Sequence, residues 1–167
     1  MSAMRVVLAA AALAAAMMVA PASRAQDTGI TIDVPVTLSE AKVVFNLDHL
    51  AFEGDQPTGI QFLKVMTEKF RADGTKAEIV AIFHGAAGYM ALNDDAYARV
   101  RKWPGGNPYK AEIAALMEAG VKFEECGQTM RDLKWVNADL LPGIAVNSGA
   151  NFRIVELVQQ GYVQIQP

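Results

Sequence analysis

Short β-branched apolar runs alternate with stretches of helical spacing along this chain, and that alternation leaves few folds open to it. The buried-type runs are AKVVFNL (41–47) and EIVAIF (78–83), and VKFEE (121–125), IAV (144–146) and 162–165 read as further strands. Runs that are apolar nearly throughout suit strands buried on both faces. Between the first two, Ile60, Leu63, Met66 and Phe70 recur at helical spacing, with Phe62 and Val65 beside them, and Asp73-Gly74 closes the segment. Ile113, Leu116 and Met117 mark a helix over 109–119 that Gly120 ends, and a short helix follows Cys126-Gly127. Ser148 is placed to cap a helix reaching 160. The alternation predicts an α/β three-layer sandwich: a parallel sheet of about five strands with helices on both faces.

The first 25 residues fall outside that pattern. Arg5 opens a short basic region, 6–20 is an unbroken apolar run, Pro21 ends it, and Ser23-Arg24-Ala25 presents small residues where a signal peptidase reads. A bilayer span needs about 20 apolar residues, so a run of 15 reads as a secretory signal rather than an anchor. The expected organisation is a signal peptide (1–25), an N-terminal arm (26–40) with an edge strand over 31–37, and one α/β domain (41–167). The chain is then expected in the periplasm, with no membrane insertion once the signal is cleaved. Beyond the signal stand 13 basic and 18 acidic side chains, a net charge of -5 with no basic patch, which argues against a nucleic-acid partner.

In a doubly covered parallel sheet, reactive groups gather just beyond the carboxyl ends of the strands. Four positions qualify: Asp48-His49, His84-Gly85, Cys126-Gly127 and Asn147-Ser148. Cys126 is the single cysteine, so it has no internal disulfide partner, and core filler, intermolecular crosslink and reactive thiol all remain open readings. Backbone N–H groups at a helix start favour its thiolate, and Gly127 would let another molecule approach the sulfur. Glu124 and Glu125 work against the thiolate, because nearby negative charge raises a thiol pKa. His84, at an equivalent strand end, is placed to orient a ligand or donate a proton near Cys126. Two isolated histidines and one cysteine lack metal-ligand spacing, and Gly85-Ala-Ala-Gly88 lacks the pattern of a phosphate loop, so neither a metal nor a cofactor is expected.

Three stretches carry a family resemblance: VAIFHGAAGYMALN (80–93), AALMEAGVKFEECGQTMRDLKW (114–135) and DLLPGIAVNSGANFRIVELVQQGYVQI (139–165). A strand ending in His-Gly, then Gly-Val-x-Phe-x-x-Cys-Gly-x-Thr, then Leu-Leu-Pro-Gly and a late Gly-Tyr resembles the DsrE/DsrF-like family, which includes YchN-type proteins. The resemblance spans roughly 41–166 and implies a compact α/β sandwich assembled as trimers or hexamers. It also implies a sulfur carrier or sulfurtransferase-like role. Cys126 would hold sulfane sulfur as a persulfide between a donor and an acceptor protein, with His84, Gly85, Gly127 and Thr129 lining the pocket. The alternative is a non-catalytic oligomeric module that binds a small ligand or a partner and keeps Cys126 as a structural residue.

Overall fold

The computed structural model describes residues 29–167. The expected signal, 1–25, lies outside the described residues. Two compact units divide the chain, one ending at Pro35 and one spanning Val36–Pro167. In the first, residues 29–35 form no helix or strand and expose Ile30, Ile32 and Val34. The edge strand expected over 31–37 does not form; Pro35 has no N–H to give a ladder, and strand structure starts only at Glu40.

The second unit holds β1 (Glu40–Leu47), a small hairpin of β2 (Phe52–Glu53) and β3 (Gln56–Pro57), α1 (Thr58–Asp73) and β4 (Lys76–Phe83). A 3-10 turn (Gly85–Ala91) leads to α2 (Asp94–Arg101), α3 (Lys110–Glu118), β5 (Lys122–Cys126) and α4 (Gly127–Leu133). After a second 3-10 turn (Asn137–Asp139) come β6 (Ala145–Asn147), α5 (Ala150–Gln159) and β7 (Val163–Ile165). Five strands form one parallel sheet in the order β6-β5-β4-β1-β7, as the sequence pattern predicts. Every carboxyl strand end therefore lies along one edge.

Strand alternation splits the core in two. Val43, Phe45, Ile79, Ala81, Phe83 and Phe123 point to the face covered by α1, α3 and the 3-10 turn, where Ile60, Leu63, Ile113 and Leu116 meet them. Val44, Val80, Ile82 and Cys126 point to the other face, where, among the described residues, α5 supplies cover through Ala150, Ile154 and Leu157, with Tyr162 beside them.

Two elements differ from the sequence reading. The spacing assigns no helix to 94–101, yet α2 forms there, because Asn93 Oδ1 accepts the Ala96 N–H at 2.9 Å and Asp94 and Asp95 fill the first turn. Ser148 does not cap α5. The helix starts at Ala150, its N-cap is Gly149, and the Ala150 N–H goes to the sulfur of Cys126 at 3.3 Å. A neighbouring strand thus satisfies a donor that a local hydroxyl was expected to take.

Candidate functional site

β5 delivers Cys126 to the carboxyl edge of the sheet, and α4 begins at the next residue. The side chain is 5% exposed and packs with Val44, Val80 and Ile82. Burial alone would push its thiol up. The N–H groups of Thr129, Ala150 and Gln128, with the Thr129 hydroxyl, outweigh burial and hold the thiol below its ordinary value. Two helix starts converge on one sulfur, and their amides supply the positive partial charge that a thiolate needs.

Thr129 ties this sulfur to the neighbouring strand end, since its Oγ1 accepts the Gly85 N–H at 3.0 Å. Gly85 takes φ 55, a left-handed conformation that a residue with a Cβ resists, and so turns that N–H toward α4. Gly127 is required by contact rather than by dihedral. A Cβ there would lie 2.7 Å from the Asn147 carbonyl oxygen, so only glycine lets α4 start against β6. Cys126, Gly127, Thr129 and Gly85 therefore come together at one place.

His84 belongs to the same edge but bonds elsewhere. Phe83 pairs with Glu125, so the next step along each strand sets His84 beside Cys126 on the α5 face. Its ring turns to β1, where Nε2 donates to Asn46 Oδ1 at 2.6 Å. Burial lowers the His84 pKa, which favours the neutral ring, and Asp48 offsets this only in part. Asn46 Nδ2 donates to Gln166 Oε1 (3.3 Å), and Gln166 Nε2 donates to Asp48 Oδ1 (3.0 Å). His49 Nδ1 lies 2.6 Å from the same Asp48 oxygen. The sequence marks Asp48-His49 and His84 as separate strand ends and does not join them through Asn46 and Gln166.

The two acids before Cys126 are neutralised by different means. Glu124, on the cysteine's face, accepts from Arg153 Nη2 (2.9 Å) and Nε (3.0 Å) through Oε1, and from Asn147 Nδ2 through Oε2 at 3.1 Å. Glu125 points to the opposite face and is 0% exposed, and among the described residues neither of its oxygens has a hydrogen-bond partner. Burial first, then the charge of the Cys126 sulfur, pushes its carboxyl up to about 9; the Cys126 N–H offsets this only in part. Glu125 is therefore a neutral acid at neutral pH, and the repulsion that its sequence position suggests does not arise. Gly88 makes the room: a Cβ there would lie 2.9 Å from Glu125 Oε1 and 3.1 Å from Thr129 Cγ2.

Arg131, which sequence reasoning passes over, stands one helical turn after Gly127. Its Nη2 donates to Gln128 Oε1 at 2.8 Å and to the Ser148 carbonyl at 3.4 Å. Its Nη1 comes within 3.5 Å of where a Gly127 Cβ would be. A basic residue four positions after a helix-start glycine was the available signal. Among the described residues no three His, Cys, Asp or Glu side chains gather as a metal site, and no helix is long and apolar enough to cross a membrane.

No curated protein matches this sequence. Among solved structures, the chain is similar to a protein of unknown function from Methanobacterium thermoautotrophicum, with a TM-score of 0.60 and 23% identity. That similarity covers 76% of this chain and 99% of the other, and at this identity it speaks for the fold. The DsrE/DsrF-like family matches over residues 5–167, nearly the whole length. Family match, five-stranded parallel sheet and shared architecture agree: the chain belongs to the DsrE/DsrF-like family.

Proposed function

We propose that this protein is an exported sulfur carrier of the sulfurtransferase type, holding sulfane sulfur as a persulfide on Cys126. Its family is associated with sulfur relay. The observation that carries the reading is the amide cradle: Ala150 N–H on the sulfur at 3.3 Å, joined by Thr129 and Gln128, favours the thiolate against the pull of burial. The thiolate attacks the outer sulfur of a donor persulfide. The donor S–S bond breaks, its electron pair leaves on the donor thiolate, and the sulfur stays on Cys126 as S–S⁻. An acceptor thiolate then attacks that outer sulfur, and Cys126 departs as the thiolate that the amides stabilise. Gly85, Gly127 and Thr129 surround the sulfur, and His84 with its Asn46 partner stands at the same strand edge. Donor and acceptor are thiol proteins or small sulfane compounds, the carrier works as a trimer or hexamer, and its compartment is the periplasm.

The test is intact mass spectrometry of the protein after exposure to polysulfide, beside Cys126→Ser. A gain of about 32 Da per added sulfur, removed by reductant and absent from the serine variant, is expected. Native mass spectrometry and cell fractionation check assembly and compartment.

One observation favours a second reading. Cys126 is only 5% exposed among aliphatic neighbours, as a structural cysteine in a non-catalytic oligomeric binding module would be. That reading expects no adduct, and no alkylation of Cys126 until the protein is unfolded.

A further inference from the structure

We propose that Arg131 is the recognition residue for an anionic sulfur donor at Cys126, and that the donor class is a sulfane sulfur carried by an oxyanion, as in thiosulfate. This rests on the reading of Cys126 as a persulfide carrier and names the substrate class for it.

Two observations place Arg131 beside the two segments that hold the sulfur. Its Nη1 lies over Gly127, the residue bonded to Cys126, and its Nη2 reaches the carbonyl of Ser148, two residues before the Ala150 amide that holds the sulfur. The guanidinium thus bridges the same two segments that cradle Cys126.

Further observations mark it as a cation waiting for an anion. It is exposed, and among the described residues no carboxylate lies within ion-pair distance of it. Its partners are the Gln128 amide oxygen, which takes Nε at 3.2 Å and Nη2 at 2.8 Å, and one backbone carbonyl. Gln128 Nε2 donates to Asp132 Oδ1 at 2.8 Å, so the nearby acid is turned to the amide rather than to the guanidinium. Arg153, the other arginine by the site, is committed to Glu124 and Glu156. Nη1 has no hydrogen-bond partner among the described residues and points toward the helix start, where a fork donor suits a planar or pyramidal oxyanion.

The chemistry needs such a group. A thiolate and a thiosulfate dianion repel each other, and a fixed guanidinium offsets that repulsion and orients the oxyanion end away from the attack. The Cys126 thiolate attacks the sulfane sulfur, the S–S bond breaks, and its electron pair leaves on sulfite. One thiolate and one thiosulfate become one persulfide anion and one sulfite dianion, three negative charges on each side, with no external oxidant or reductant.

Reagent charge separates recognition from folding. The purified protein, Arg131→Gln and Arg131→Lys are each alkylated with iodoacetate and with neutral iodoacetamide, and are separately exposed to thiosulfate with intact-mass readout. Expected in Arg131→Gln is a loss of about tenfold in rate with iodoacetate and with thiosulfate, while iodoacetamide changes by less than about twofold. Arg131→Lys keeps the charge without the fork and falls between. Equal effects on both alkylating agents, or no effect on either, overturn the proposal. Sulfur uptake from thiosulfate that proceeds equally in Arg131→Gln overturns it and leaves the carrier reading standing. An anion-selective alkylation effect with no sulfur uptake from any donor keeps Arg131 as an anion-recognition residue and removes the carrier reading. A Cys126 that resists both reagents in the folded protein overturns both.

Discussion

The lowering of the Cys126 thiol pKa depends on single contacts that can be removed one at a time. Thr129 offers its hydroxyl and its N–H to the sulfur and accepts the Gly85 N–H at 3.0 Å. Thr129→Val keeps the shape and removes the hydroxyl. It is expected to raise the Cys126 pKa and slow iodoacetamide alkylation at neutral pH by roughly tenfold, with Thr129→Ser restoring the rate. A pH–rate profile checks it: an unchanged inflection would mean that the backbone amides alone hold the thiolate. Gly88 is a test of packing rather than charge. Gly88→Ala puts a methyl 2.9 Å from Glu125 Oε1 and 3.1 Å from Thr129 Cγ2, in a turn whose neighbours are fully packed. Overpacking of this kind costs about 1–3 kcal/mol, to be read from urea unfolding midpoints.

At the scale of the element, α5 has two tasks that can be separated. Its inner residues, Ala150, Ile154 and Leu157, are the helical cover on one face of the sheet, and its first N–H bonds the cysteine. Ala150 is the first helical residue, following Gly149 with ψ 126. Proline is tolerated there because its fixed φ suits a helix start and an extended residue precedes it. Ala150→Pro therefore removes one donor from the sulfur and keeps the helix. Its thiol pKa is expected to rise while the melting temperature moves by no more than a few degrees, about what 1 kcal/mol produces in a domain of this size. Circular dichroism and the alkylation profile read the two effects separately, and loss of the fold would show that the N–H serves the core more than the site.

Across the whole molecule, Glu125 links folding to pH. Its folded pKa of about 9 lies far above the ordinary 4.5, so the folded chain keeps a proton that the unfolded chain releases. The contribution of Glu125 is complete below the unfolded value and is lost as pH rises through the interval between the two. By pH 7 the loss is about 3 kcal/mol at 1.36 kcal/mol per pH unit. Glu125→Gln has no proton to lose. Its stability relative to the natural protein is expected to grow steadily from pH 5 to pH 9, measured by denaturant unfolding at each pH. Parallel curves would mean that the carboxylate finds a partner when it ionises. A fully buried acid that weakens the fold at neutral pH is a cost that packing alone does not explain, and it stands next to Cys126 in the chain.

The architecture was legible in the amino-acid order because strand and helix signals are local. AKVVFNL and EIVAIF are apolar on both faces, Gly74 and Gly120 stop their helices, and the Cys-Gly and His-Gly steps fall at strand ends. The strand-end steps Cys126-Gly127 and His84-Gly85 were legible as neighbours because a parallel sheet puts its carboxyl ends on one edge, whereas Thr129 entered only through the family resemblance. The charge state of that site was not. Sequence places two glutamates beside the cysteine and cannot tell that Glu124 meets Arg153, 29 residues on, while Glu125 turns to a dry face and is neutral. Nor could it assign the Ala150 N–H to a sulfur 24 residues away rather than to Ser148, or set Arg131 across Gly127. Propensity and periodicity act over a few residues, whereas desolvation and hydrogen bonding depend on what other segments bring to the same few ångströms. The fold was written along the chain, and the protonation of its cysteine and glutamate was decided across it.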